Sequence, residues 1–355
     1  MLKAFISTRT LHAMDILRSP VTDKSAWVAD DHRHHRSWLH ELSDADLAEL
    51  DGALAGVKTR GLTPPKFGRD DFRIPRFGAK LAELRDELNH GRGFFVIRGM
   101  PVDRYPLDDI KAMYWGIGTH MGNPVLQNKK GDLVSHVEDR GDDYSQHNVR
   151  LYSTAAAANP HNDPSDVVGL LCVRTAPSGG TSMIASATAI YNRMVETHPE
   201  YLEILARGFP HAVRGEGVTR STGEVTPPIP VYSYFEGKIS CCLNSKSSAT
   251  ARELEGNPLT PEEIEAIRAV EDLVEDPAFC LTMDFRPGDI QFLNNYVILH
   301  TRTAFQDGRE PGERRLLLRL WLNLREGRRL APGFGDRFNN GSRGGVPARA
   351  VELAE

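Results

Sequence analysis

The sequence predicts a mainly β protein, a sandwich or barrel with helical additions. Two observations carry this reading. From about residue 150 onward, short apolar and β-branched runs recur between turns rich in Gly and Pro, with no helix regularly separating one run from the next. Helical periodicity is concentrated in the first ninety residues and in a few inserts.

In chain order, residues 44–54 (DADLAELDGAL) and 77–88 (FGAKLAELRDEL) space their apolar side chains three and four apart, the period of an amphipathic helix. Residues 93–100 (GFFVIRGM) form a compact apolar run between glycines and read as a buried strand. A helix is expected over 107–116, ending near GTHMGNPVLQ. Residues 167–175 and 181–186 read as strands joined by the turn-forming PSGG, followed by a helical insert over 187–206. Glu236-Gly237 separates strand-like runs at 231–235 and 238–243, a hairpin pattern. Thr260, with Glu263 three residues later, makes a capping box for a helix over 261–274. Further strands are expected over 279–285, over 290–293 after the Pro287-Gly288-Asp289 turn, and over 315–324.

Composition excludes several classes. The 355 residues carry 43 Lys plus Arg against 48 Asp plus Glu, a net charge of −5, without the basic excess of a nucleic-acid binder. No apolar run approaches the roughly 20 residues of a membrane helix, so no membrane partner is expected. Cys172, Cys241, Cys242 and Cys280 show no CxxC pairing and read as buried thiols of a reducing compartment. The first twenty residues lack a secretory apolar region, and Asp15 counts against a transit peptide; the expected location is cytoplasmic.

The sharpest local signal is Asn159-Pro160-His161-Asn162-Asp163. In an extended segment His161 and Asp163 project to one face while Asn162 points away, bringing an imidazole and a carboxylate to a common point. A second histidine would complete a 2-His-1-carboxylate triad, which suits non-haem Fe(II) and leaves coordination positions open. The bland alternative is a surface turn between Pro160 and Pro164. A histidine closes the apolar run Asn294-Asn295-Tyr296-Val297-Ile298-Leu299-His300; alone, such a residue is more often a hydrogen-bonded core histidine. In Arg314-Arg315-Leu316-Leu317-Leu318-Arg319-Leu320-Trp321, strand alternation puts Arg315, Leu317, Arg319 and Trp321 on one face and leucines on the other. Two arginines on such a face fit either a solvated edge or an anchor for a carboxylate.

This ordered set, His-x-Asp, a Gly-Gly-Thr turn, a distal His and an Arg-rich strand, resembles the TauD/TfdA (taurine dioxygenase-like) family of Fe(II)/2-oxoglutarate-dependent oxygenases. The resemblance spans about residues 93–324 and includes the segments GFFVIRG, APSGGT and HTRTAF. It implies a double-stranded β-helix (jelly roll, cupin-like) domain over 91–325, with residues 1–90 as a helical extension packed on it and 326–355 as a Gly- and Arg-rich C-terminal arm. It implies His161, Asp163 and His300 as the iron ligands. It implies Thr181 and Arg315 as the partners of the far carboxylate of 2-oxoglutarate, with Arg319 as a second arginine on the same strand. O2 would be the other co-substrate, and no catalytic residue is implied beyond the metal ligands.

The implied reaction is hydroxylation or desaturation of a small molecule with release of succinate and CO2. A halogenating relative would carry Gly or Ala in place of Asp163. Two alternatives stand beside it: a jelly-roll metal enzyme that does not use 2-oxoglutarate, and a non-catalytic binding protein that keeps the fold. The loop after His300 (TRTAFQDGREPGER) is a few residues longer than the family's short form, and segments 120–150 and 207–230 match nothing assignable. A carboxylated or amino-acid-like substrate is expected from the spare arginines and histidines, and a homo-oligomer is left open. His120, His136 and His147 are candidates for the pocket wall, and Arg214 and Arg220 for a lid. The tract Asp30-Asp31-His32-Arg33-His34-His35 reads as a solvated loop or helix start.

Overall fold

The computed structural model describes residues 16–128, 130–146, 149–213 and 224–334. Its strands are, in chain order, β1 Leu39–Glu41, β2 Phe94–Arg98, β3 Asn123–Pro124, β4 Val134–Val137, β5 Ala158–His161, β6 Val167–Arg174, β7 Ser178–Gly179 and β8 Ser182–Ser186. They continue with β9 Tyr232–Phe235, β10 Lys238–Cys241, β11 Leu281–Met283, β12 Ile290–Asn294, β13 Ile298–Arg302, β14 Phe305–Gln306 and β15 Leu316–Asn323.

The larger sheet runs β1-β2-β12-β6-β15-β3, with β4 also on β15; the smaller runs β11-β8-β13-β5. Neither sheet is closed into a barrel; the two layers make the jelly roll expected from the sequence. Alternation explains the division of labour. Phe94, Val96, Val168, Leu293 and Trp321 of the larger sheet pack between the layers with Ile184, Leu281, Met283 and Ile298 of the smaller one. The opposite set, including Phe95, Ile97, Phe292, Leu316, Leu318, Leu320 and Leu322, packs outward against helices. Both faces are therefore buried, which is why FFVIR and the β15 sequence read as nearly unbroken apolar runs.

The covering helices are Asp44–Thr59, Pro75–His90 and Leu107–Met121, close to the periodic segments that announce them. The capping box at Thr260 starts helix Pro261–Glu275, the threonine hydroxyl accepting from Glu263 N. The hairpin at Glu236-Gly237 forms as expected, with Gly237 at φ 77°.

Three features differ from the sequence expectation. The insert over 187–206 is two helices, Ala187–Thr197 and Leu202–Arg207, because Pro199 has no N–H to continue the first. Helix Ser245–Leu254 (SKSSATAREL) carries too few apolar residues to show a period; it starts at Asn244, whose side chain accepts from Ser247 N. The N-terminal segment is not purely helical: β1 adds to the larger sheet in parallel with β2. Of residues 326–355, those from 335 on lie outside the described residues, whereas Phe334 is fully buried near Tyr296. Arg214, Arg220 and His147 also lie outside the described residues.

Candidate metal centre

β5 and β13 are neighbours in the smaller sheet, and their antiparallel register sets His161 directly opposite His300. The two imidazole centroids are 4.2 Å apart. Asp163 follows β5 by two residues. The distances between one ligand atom each of His161, Asp163 and His300 are all within 4.8 Å, and among the described residues these three are the group of this kind that could hold a metal ion. Asn162 turns the other way, as alternation requires: its amide donates to Ile298 O at 2.7 Å and accepts from Leu243 N at 2.8 Å. Those bonds pin the motif to β13 and to the start of the 245–254 helix. Asp163 N donates to Asn295 Oδ1 at 3.1 Å, adding a third tether.

Each candidate ligand is prepared chemically. His161 Nδ1 lies 2.8 Å from Asn159 O, and a carbonyl can only accept, so Nδ1 carries the proton and Nε2 offers a lone pair. Burial and the neighbouring imidazole hold His300 down at about 3, so it too is neutral at physiological pH. Burial works against ionisation of Asp163, but the Arg319 charge, the two imidazoles and the Trp321 N–H outweigh it and hold the carboxyl at about 2. Trp321 Nε1 donates to Asp163 Oδ2 at 2.9 Å, and Arg319 Nη1 stands 3.6 Å from Oδ1. Two neutral imidazoles and one carboxylate are the donor set that non-haem iron takes, and His300 Nδ1 and Arg319 Nη2 are buried polar atoms without a hydrogen-bond partner.

The three residues border a solvent-open cavity. β15 supplies Leu317 and Arg319 to its wall, and Arg315, the residue just before it, joins them on the face that alternation assigned to all three. Arg319 is 8% exposed, and its Nε donates to Gln127 Oε1 at 2.8 Å. Arg315 is 5% exposed, and burial pulls its guanidinium down to about 10. Thr181 borders a second, adjoining cavity that Arg315 also reaches, whereas its neighbour Ser182 borders the first with His300. The long loop after His300 folds back: β14 pairs with β7, and Arg315 N donates to Asp307 Oδ1 at 2.8 Å, fixing where β15 begins.

Other expected residues stand elsewhere. His120 sits on a covering helix with Nε2 2.8 Å from Phe72 O, and His136 lies 3.6 Å from Glu138; neither borders the cavity. Residues 29–33 do begin a helix, and His32 packs edge-on against Trp27 and Phe94. Sequence reasoning did not single out Gln127, Ser182, Arg302 or Lys246 as site residues. Strand alternation on either side of Thr181 and His300 was the available signal for Ser182 and Arg302; Gln127 and Lys246 had none.

Comparison with known proteins agrees with this geometry. Residues 58–321 match the family described as "Taurine catabolism dioxygenase TauD, TfdA family", a span that contains all three candidate ligands. FR-33289 synthase of Streptomyces rubellomurinus is 30% identical over 328 residues, covering 89% of this chain and 94% of that protein. Taurine hydroxylase-like protein SAT17 of Stachybotrys chartarum is 29% identical over 317 residues, covering 86% of this chain and 80% of its own. Among solved structures, asparagine oxygenase in complex with Fe(II), 2S,3S-3-hydroxyasparagine and succinate superposes with a TM-score of 0.61 at 16% identity, over 80% of this chain and 93% of that one. Non-heme iron oxygenase OrfP in complex with Fe and alpha-ketoglutaric acid gives 0.57 at 15% identity, over 80% and 94%. With the jelly roll, the paired histidines and the family match in hand, the chain belongs to the TauD/TfdA family of Fe(II)/2-oxoglutarate-dependent oxygenases.

Proposed function

We propose that this family member oxidises a small carboxylated or amino-acid-like substrate, with His161, Asp163 and His300 holding the iron and Arg315 anchoring the far carboxylate of 2-oxoglutarate. The observation that carries the reading is the His161–Asp163–His300 cluster at the wall of a cavity whose charged lining is cationic but for Asp163. When bound, iron and 2-oxoglutarate supply the power to oxidise a substrate C–H bond with O2, releasing succinate and CO2.

The protein's own groups bind and orient. His161 and His300 present neutral nitrogens without first losing a proton, and Asp163 is already ionised. Trp321 fixes the rotation of the Asp163 carboxylate through one N–H bond. Arg315 offers a planar fork suited to a carboxylate, and Ser182 brings a hydroxyl to the same cavity while Thr181 borders the guanidinium from the adjoining one. Substrate meets the wall formed by Tyr144, Arg150, Asn159, Asn244, Ser245 and Lys246. Arg150, Lys246, Arg302, Arg315 and Arg319 give that lining five cations against the one carboxylate of Asp163, so an anionic group on the substrate is favoured. Asparagine oxygenase and OrfP, whose structures hold hydroxyasparagine and hydroxyarginine, support the amino-acid-like class. A cytoplasmic location is supported by the four cysteines being buried free thiols.

The test is anaerobic addition of Fe(II) and 2-oxoglutarate, followed through the visible metal-to-ligand absorption of such a complex. The band is expected with the native chain and lost in His161→Ala and Asp163→Ala. Its absence from the native chain sinks the reading. Succinate release across a library of amino acids, other carboxylates and uncharged compounds then identifies the substrate class, and turnover confined to the uncharged compounds would refute the anionic assignment.

A further inference from the structure

The reading above gives the far carboxylate of 2-oxoglutarate one guanidinium. The cavity wall holds another. Arg302 lies two residues after His300 on β13, so alternation turns it to the same face as that ligand. Its partner across the β8–β13 ladder is Ser182, which borders the same cavity, and Arg315 arrives there from the opposite sheet. The two guanidiniums share one aromatic support: Arg302 Cζ stands 4.7 Å and Arg315 Cζ 5.1 Å from the Phe305 ring centroid.

Both arginines are buried, 8% and 5% exposed. Among the described residues, neither side chain has a carboxylate within salt-bridge distance. Arg302 Nη2 donates to two backbone carbonyls, Thr154 O at 3.1 Å and Ala156 O, while its Nε has no partner. Arg315 Nη1 likewise has none. Two buried cations side by side, each with an orphaned N–H, are costly unless an anion lies between them. Asp163 is the one carboxylate bordering the cavity, and it is already engaged by Trp321 and Arg319.

We propose that Arg302 is a second guanidinium for the far carboxylate of 2-oxoglutarate, meeting it from β13 while Arg315 meets it from β15. This rests on the oxygenase reading above. The carboxylate lies over Phe305 between the two forks, and Arg302 at the same time ties down residues 154–156, which lead into β5 and His161.

The experiment separates a carboxylate contact from a merely structural role by comparing 2-oxoglutarate with 2-oxovalerate, which keeps the 2-oxo acid end and the chain length but ends in a methyl group. Each is titrated anaerobically into the Fe(II)-loaded full chain through the visible absorption. In Arg302→Gln the Kd for 2-oxoglutarate is expected to rise about 10- to 100-fold, the range for losing a charge-assisted hydrogen bond, while that for 2-oxovalerate stays within about twofold. Arg302→Lys keeps the charge without the fork and is expected to fall between; it carries the same comparison if the glutamine variant does not fold. Equal weakening of both ligands, or an unchanged Kd for 2-oxoglutarate, overturns the proposal. A native chain that gives no band with 2-oxoglutarate fails the oxygenase reading instead.

Discussion

Trp321 offers the sharpest check on how the metal centre is built. It is fully buried, and its indole N–H donates to Asp163 Oδ2 at 2.9 Å. Trp321→Phe keeps an aromatic ring between the sheets and removes that one donor. A hydrogen bond to a charged acceptor contributes about 1.5–3 kcal/mol, and each 1.4 kcal/mol is a factor of ten. Arg319 remains near the other oxygen, but at 3.6 Å its charge does not fix the carboxylate's rotation. Without that donor the carboxylate's rotation is less well fixed toward His161 and His300, so the loss falls on metal affinity. Fe(II) affinity, measured anaerobically against a competing chelator, is expected to drop about 10- to 100-fold. The Kd for 2-oxoglutarate at saturating iron should stay within about twofold, because Trp321 does not touch the Arg315 end. A thermal melt reads the packing cost separately. Metal affinity unchanged within twofold, or equal weakening of both ligands, would refute the argument that this indole sets the carboxylate.

Asp289 is fully buried and accepts from Arg98 Nε at 2.8 Å, Arg98 Nη2 at 2.7 Å and Arg286 N at 2.9 Å, joining β2 to the start of β12. Asp289→Ala strands the Arg98 charge, and chemical denaturation should show about 3–5 kcal/mol lost; a change under 1 kcal/mol would contradict this role. Acidification should destabilise the apo chain: burial lowers His32, His40, His120 and His136 below the usual 6.5, so the unfolded chain takes up protons more readily. The stability they contribute is complete above about pH 6.5 and is lost as pH falls through their depressed folded values. A melting temperature that rises from pH 7.5 to 5.5 would overturn that sign. Gly179 has φ 74°, and a Cβ there would collide with the Ala304 carbonyl, so Gly179→Ala should disturb the β7–β14 pairing that sets Phe305 and the approach of Arg315. Its readout is a weaker Kd for 2-oxoglutarate with Fe(II) affinity kept; the reverse pattern would contradict the placement.

What was legible in the sequence is what a single strand encodes. The period of two separates His161 and Asp163 from Asn162, and Arg315, Leu317, Arg319 and Trp321 from Leu316, Leu318 and Leu320, and both separations are present in the fold. What was not legible depends on register between strands. No local pattern says that His300 faces His161, that Arg302 faces Ser182, or that Gln127, outside any strand, ends 2.8 Å from Arg319. β5 itself was hidden because ANPH has a proline in it. Proline is tolerated there because β5 is the last strand of the smaller sheet, where a missing N–H breaks no central ladder. The 245–254 helix was hidden for the opposite reason: it depends on the Asn244 cap and on packing, with few apolar side chains to mark it.

β15 shows why the two kinds of information meet at the site. Its outward face, Leu316, Leu318, Leu320 and Leu322, is locked into the helix-covered core, while its inward face, with Arg315 just before it, brings Arg315 and Arg319 to the cavity and the Trp321 indole to Asp163. Close packing of the leucines leaves the strand little freedom to slide, and a slip of one residue would exchange the two faces entirely. The positions of the proposed carboxylate anchor and of the donor to Asp163 are thus set by apolar side chains that touch neither. The Asp163 tether, the Arg319 charge and the Arg315 fork are spaced by the pleat of one strand, so their relative positions are properties of the backbone more than of any rotamer. That is why a short arginine- and leucine-rich sequence, unremarkable by composition, specifies the geometry of the chemistry.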